Sequence, residues 1–239
     1  DYLERVLRLH SPPPQGGKVK RVWIVTDSVF SMDGDLAPLR ELAALKNRYG
    51  AYLIVDEAHG TGVFGKNGQG VSEHFGVSDQ IDVHIGTLSK AIGALGGFAA
   101  GRSELIEYLI NRARSFIFAT ALPPAICAAA IQAIEIIERE PDLRTKLWRN
   151  VEKLRRSLPP SLIRRAGLNL PYGCVGEDGE RECPSPIIPV GLDDEKRALR
   201  ASEILLREGF LIPAVRYPAV PKGKARLRIT VSAAHTSSD

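Results

Sequence analysis

Two short strands, each running straight into a turn rich in reactive side chains, narrow the folds open to this chain. Ala51 to Val55 is apolar and ends in Asp56-Glu57-Ala58-His59-Gly60-Thr61-Gly62. Ile81 to Ile85 reads as a second buried strand and ends in Gly86-Thr87-Leu88-Ser89-Lys90, with glycines crowding behind the lysine. Ahead of the first strand, Leu36, Leu39, Leu42, Ala43 and Leu45 fall on one face of a helix that Gly50 stops. Strands alternating with helices predict an α/β fold, a mostly parallel sheet with helices on both faces. Such sheets bind ligands just past the carboxyl ends of their strands, which is where Asp56, His59 and Lys90 fall.

The remaining pattern extends this plan. Residues 1–9 read as a helix, Ser11 to Gly17 as a loop and Arg21 to Thr26 as a strand. Ser31-Met32-Asp33-Gly34-Asp35 reads as a turn, with Asp35 set to cap the following helix. Gly97 to Gly101 is a further strand, Ser103 to Arg114 a helix, and Pro123 opens a long apolar helix over Ala125 to Glu138. A helix after Pro141 continues to Ser157. Beyond Pro159-Pro160 the character changes. Tyr172 to Glu182 reads as an exposed loop, and strands at Ile187–Val190, Leu211–Val215 and Arg226–Val231 accompany one helix, Asp194 to Arg207. The expected division is a partial large domain over 1–143 and a small C-terminal α+β domain over 144–239.

Composition excludes several function classes. At 239 residues, 44% hydrophobic and 25% charged, the chain reads as a soluble globular protein. No apolar run reaches membrane-spanning length, and no signal peptide is visible in the residues given. Cys127, Cys174 and Cys183 are odd in number and lack a Cys-x-x-Cys pair, which argues against a disulfide framework or a metal site and fits a reducing cytoplasm. The net charge of +4 is mild, and Lys222-Gly223-Lys224 has no interleaved aromatics, so nucleic acid is not an expected partner. The start at Asp1, without a methionine, suggests that an N-terminal portion precedes it.

Asp56-Glu57-Ala58-His59 alone would also suit the acidic box of a helicase, but no Gly-x-x-x-x-Gly-Lys-Ser/Thr phosphate loop accompanies it. Asp-x-x-His followed by Thr-x-x-Lys suggests pyridoxal phosphate instead. That cofactor's aldehyde needs a lysine, and its ring nitrogen needs an aspartate to stay protonated. The pattern resembles the α-oxoamine synthases, a fold-type I family of pyridoxal-phosphate enzymes. Four further stretches agree: Thr26 to Asp35, Phe116 to Pro124, Ala225 to Thr230 and Ser232 to Thr236. The resemblance runs nearly end to end.

It implies a role for each matching residue. Lys90 would form the Schiff base and remove the Cα proton, Asp56 would pair with the ring nitrogen, and His59 would lie near the phenolic oxygen. Ser31 and Thr87 would contact the cofactor. Thr120 would reach the phosphate of a neighbouring subunit, implying a homodimer with shared sites. Arg228 would hold the substrate carboxylate, although Arg226 lies on the same face of an ideal strand and spacing does not separate the two. Arg216 would meet the acyl chain's distal carboxylate, and Ala219 stands where a threonine is usual. The plainer alternatives are a turn serine at Ser31, a helix cap at Thr120 and a solvated arginine at Arg216. The implied activity is that of an acyltransferase condensing an amino acid with an acyl-CoA and losing carbon dioxide. L-alanine with pimeloyl-CoA is the expected pair, glycine with an acetyl donor the alternative. The family's N-terminal part, with its glycine-rich phosphate contacts and stacking aromatic ring, is not in the sequence. A non-catalytic fragment is therefore the reading from another class, and the 239-residue chain alone is expected to be inactive, the chemistry belonging to an extended, full-length protein.

Overall fold

The computed structural model describes residues 2–10, 21–159 and 185–236. The loops expected at Ser11–Gly17 and Tyr172–Glu182, with Cys174 and Cys183, lie outside them. The chain divides into two compact units, one of Asp1–Ser28 with Ala37–Pro141 and one of Val29–Leu36 with Asp142–Asp239.

The first unit holds helix α1 (Tyr2–His10), strand β1 (Trp23–Asp27), helix α2 (Leu39–Tyr49), strand β2 (Tyr52–Asp56), the short helix α3 (Val71–His74), strands β3 (Val83–Thr87) and β4 (Gly97–Gly101), and helices α4 (Ser103–Arg112), α5 (Arg114–Ile117) and α6 (Pro124–Arg139). Its sheet runs β1-β2-β3-β4. β1 and β2 are parallel with Trp23 opposite Tyr52 and Asp27 opposite Asp56, and β3 lies parallel to β2 with Ile85 opposite Asp56. β4 runs antiparallel to β3 with Gly97 opposite Thr87. The core beneath is fixed by Leu39 and Ala43 of α2 and by Leu53 and Val55 of β2, all fully buried. Each fully buried leucine contributes about 1.5–3 kcal/mol. Gly50 ends α2 at φ 62°, a left-handed conformation that costs a glycine little.

Several boundaries differ from the pattern reading, for identifiable reasons. β3 begins at Val83 rather than Ile81, because a single 3-10 turn at Ser78–Gln80 occupies the approach. It continues through Gly86 and Thr87 because β4 pairs with both, and Gly86 leaves room for the Phe98 ring, which a Cβ there would meet at 2.2 Å. The helix expected over Ser103–Arg114 breaks at Ala113, whose ψ of 103° is extended.

Asp35 does not cap α2. That helix starts after Pro38, with no side-chain cap. The Asp35 carboxyl is instead half-buried, its Oδ1 without a hydrogen-bond partner, and burial pushes its pKa above the ordinary aspartate value. The folded state therefore binds a proton there more tightly than the unfolded chain does. Stability should be highest below the ordinary aspartate pKa of about 4 and fall as pH rises through the raised folded value. Asp35→Asn should flatten that fall, seen as a smaller change in denaturation midpoint between acid and neutral pH. An unchanged slope would show that Asp35 is not the group responsible.

The second unit contains helix α7 (Pro141–Ser157), strand β5 (Ile187–Asp193), helix α8 (Glu195–Arg207) and strands β6 (Ala214–Val215) and β7 (Ala225–Thr230). Its sheet is antiparallel in the order β5-β7-β6. Asp194 caps α8 by accepting from the Arg197 N–H at 2.8 Å. The strand expected from Leu211 shrinks to Ala214–Val215, since Pro213 has no N–H to donate and pairing begins after it. Val29 and Leu36 form an isolated antiparallel bridge that closes the turn between them.

Candidate active site

In the first unit the sheet gathers four of the expected residues at the edge formed by the carboxyl ends of β1, β2 and β3. Asp56 is the last residue of β2, and Thr87 the last of β3. Ala58 N–H donates to Asp56 Oδ1 at 2.8 Å, which fixes the carboxylate and leaves Oδ2 able to accept from a ligand. His59 is half-buried on the turn that follows. Lys90 is exposed, on a loop closed by Gly93 N–H to Lys90 C=O at 3.1 Å and by Leu88 N–H to Gly96 C=O at 2.9 Å. Thr87 Oγ1 lies 2.8 Å from Ser89 Oγ and donates to Gly96 C=O at 3.2 Å, so its hydroxyl also braces this loop.

Pattern reading assigned nothing to Asp27, the register partner of Asp56. Partial desolvation, then repulsion from Asp56, raises its pKa above the ordinary value, while Lys90 pulls it down. Asp27 is thus within electrostatic reach of both Asp56 and Lys90. The available signal was positional: Asp27 ends its strand just as Asp56 does. Glu57 was likewise passed over. Its buried carboxylate accepts from the Val71 and Ser72 N–H groups at 3.0 and 2.8 Å and ties the 60–70 loop down beside His59. Thr120 is exposed in the segment between α5 and α6 and makes no hydrogen bond to a described residue.

The second unit carries the remaining candidates. Arg228 Nε donates to the Ser31 carbonyl at 2.6 Å. Arg226 is buried, ion-paired to Asp33, and donates its Nε to Lys224 C=O at 3.1 Å. Burial lowers the pKa of both guanidiniums from the ordinary value, and an arginine so shifted stays cationic. Ser31 is half-buried, Arg216 and Ala219 are exposed, and the Arg216 carbonyl accepts from Ala219 N–H at 2.9 Å. Among the described residues there is no cluster suited to a metal ion, and no helix is long and apolar enough to cross a membrane.

The donor set at the strand ends fits the cofactor implied by the motifs. A carboxylate with one oxygen fixed and one available suits a protonated ring nitrogen, and a second acid beside it deepens the local negative field. An exposed amine on a braced loop suits an aldehyde.

An open α/β sheet with a lysine and an aspartate at adjoining strand ends suits an aldehyde cofactor with a ring nitrogen. The chain belongs to the aminotransferase class I and II family, which matches residues 4–239. It is 47% identical over 239 residues to a putative 8-amino-7-oxononanoate synthase of Desulforudis audaxviator (strain MP104C), covering 100% of this chain and 56% of that protein. It is 48% identical over 221 residues to an 8-amino-7-oxononanoate synthase of Anaeromyxobacter dehalogenans (strain 2CP-1 / ATCC BAA-258), covering 92% of this chain and 52% of that one. Among solved structures, serine palmitoyltransferase from S. paucimobilis, with a bound PLP–myriocin aldimine, shares 33% identity at a TM-score of 0.82 over 99% of this chain and 55% of the other. The 8-amino-7-oxononanoate synthase of Francisella tularensis shares 30% identity at a TM-score of 0.70, covering 98% and 62%. The fold is that of the fold-type I transferases. The chain spans about half the length of the curated relatives it matches.

Proposed function

We propose that the chain carries the pyridoxal-phosphate site of an acyltransferase that condenses L-alanine with pimeloyl-CoA to give 8-amino-7-oxononanoate, carbon dioxide and free CoA. The observation that carries the reading is Asp56 ending β2 and Lys90 following the end of the neighbouring parallel strand β3, with Asp27 beside Asp56. The relatives' names supply the product, 8-amino-7-oxononanoate.

Pyridoxal phosphate, when bound, supplies an electron sink for the charge left on the amino acid's Cα. Lys90 would hold the cofactor's aldehyde carbon, and its amine would serve as the base for the Cα proton. Asp56 keeps a proton on the ring nitrogen through its available oxygen. His59 hydrogen-bonds the phenolic oxygen and holds or returns a proton there. Ser31 and Thr87 contribute hydroxyls to the cofactor, and Thr120 serves the phosphate in a homodimer with shared sites. Arg228 holds the substrate carboxylate, Arg216 meets the distal carboxylate of the acyl chain, and Ala219 lines that chain's entrance. The 1–143 segment supplies the cofactor-binding part and 144–239 the smaller domain, in a cytoplasmic enzyme.

A second reading has specific support: Ala219 stands in place of a threonine in the Tyr217-to-Lys222 stretch, which also resembles glycine C-acetyltransferase. The two amino acids differ by one methyl, worth only about 1–3 kcal/mol of discrimination, so the acyl donor is the sharper probe. Thiol release for the four pairings of L-alanine or glycine with pimeloyl-CoA or acetyl-CoA, compared as kcat/KM, is expected to favour L-alanine with pimeloyl-CoA. A preference for glycine with acetyl-CoA would move the reaction to the acetyltransferase while leaving the Lys90 chemistry in place.

A further inference from the structure

The two arginines of β7 make different use of the same turn. They lie two residues apart, on one face of a central strand. Opposite Arg226 on β5 is Gly191, which presents no side chain. Arg226 is 4% exposed and its guanidinium is committed to Asp33 and the Lys224 carbonyl. Arg228 gives its Nε to the Ser31 carbonyl, and its terminal nitrogens make no hydrogen bond among the described residues. Arg228 can therefore present a planar fork to a carboxylate, while Arg226 cannot without breaking its ion pair.

The turn that both arginines touch is held from two sides. Within it, Gly34 N–H donates to Phe30 C=O at 2.7 Å and Phe30 N–H to Asp35 C=O at 2.9 Å. Gly34, at φ 75°, sits against the start of β5: a Cβ there would come within 2.4 Å of the Ile187 carbonyl and 2.6 Å of Ser185 Oγ. On the other side Asp33 is tied to Arg226. The Arg226 end of this pair is buried while the Asp33 side chain is 37% exposed; such a pair adds little net stability, because desolvation offsets attraction, but it fixes geometry.

We infer that Arg226 is a positioning residue: its ion pair with Asp33 sets the 31–35 turn, and the Ser31 carbonyl of that turn aims the Arg228 fork at the substrate carboxylate. The inference rests on the proposed role of Arg228 and deepens it. Loss of the pair lets the Ser31 carbonyl drift, and Arg228 with it. Binding of a carboxylate then weakens more than binding of the same molecule without one.

The test compares L-alanine with L-alaninamide, which lacks the carboxylate charge, by calorimetric titration of the full-length protein loaded with pyridoxal phosphate. Arg228→Ala should abolish the preference for L-alanine. Arg226→Met and Asp33→Asn should each cut it by about tenfold, below the roughly 10²-fold cost of a misplacement near 1 Å. Arg226→Lys, which keeps the charge beside Asp33, should restore part of it. In the chain without cofactor, amide exchange at Asp33 and Gly34 should quicken in Arg226→Met and Asp33→Asn but not in Arg228→Ala. If Arg226→Met does not fold, Asp33→Asn carries the comparison. If Arg228→Ala abolishes the preference while Asp33→Asn and Arg226→Met keep it, or weaken both ligands equally, the positioning role is wrong and the clamp stands. If Arg228→Ala keeps the preference, the clamp itself is wrong.

Discussion

Lys90→Ala is expected to reduce turnover by at least about 10³-fold, within the 10²–10⁴ range that one positioned proton-transfer group supplies. The same substitution should remove the covalent hold on the cofactor aldehyde. Borohydride reduction of the loaded full-length wild-type protein, followed by peptide mass mapping, should place the label on Lys90, and the full-length Lys90→Ala protein should take up none. The loop makes this a clean experiment. Its shape comes from Leu88 N–H to Gly96 C=O and from the Thr87 hydroxyl, neither of which involves the lysine side chain. The exposed amine can therefore be deleted without disturbing β3 or β4. A label on any other lysine, or wild-type turnover in Lys90→Ala, would overturn the assignment.

Arg228→Ala should cost about 2–5 kcal/mol in amino-acid binding, the range for a desolvated charge pair that loses one partner. The loss should appear as a raised KM for the amino acid, with the cofactor's absorbance unchanged before substrate is added. Arg226→Ala is a useful contrast, since it leaves Asp33 unpaired and should register mainly as lost stability, with a smaller effect on binding. If Arg226→Ala alone gave the binding loss, the carboxylate partner would lie one strand repeat away.

What the sequence made legible follows from how local each signal is. The β2 strand and Asp56 at its end were readable because five apolar residues and a strand-end acid need no tertiary information. The same holds for α2, whose apolar face and terminal Gly50 are both local. The start of β3 was misread by two residues, since Ile81 and Asp82 continue the alternation and only the preceding 3-10 turn excludes them. Asp35 has the chemistry of a cap in the right sequence neighbourhood, yet Pro38 moves the helix start beyond its reach. The choice between Arg226 and Arg228 was beyond pattern reading altogether. Both share a strand face, and what separates them is a partner 193 residues away in one case and 197 in the other. Asp27 became visible as a site neighbour only when β1 paired with β2 in register.

The antiparallel course of β4 has a consequence for how this chain is assembled. Because β4 doubles back on β3, the Lys90 loop is closed by residues ten positions apart, Thr87 and Gly97. The Arg228 contact to Ser31 closes a loop of 197 residues. Loop-closure entropy grows by about 0.6 kcal/mol per doubling of length, so the second contact carries roughly 2–3 kcal/mol more of it than the first. The lysine loop is thus a short-range hairpin that a growing chain can complete as soon as residue 97 is made. The contact of the proposed carboxylate clamp waits until β7 is made, 197 residues after the turn to which it returns. On the proposed roles, the lysine that would hold the cofactor sits on a locally closed loop, and the arginine that would select an acid depends on a long-range closure.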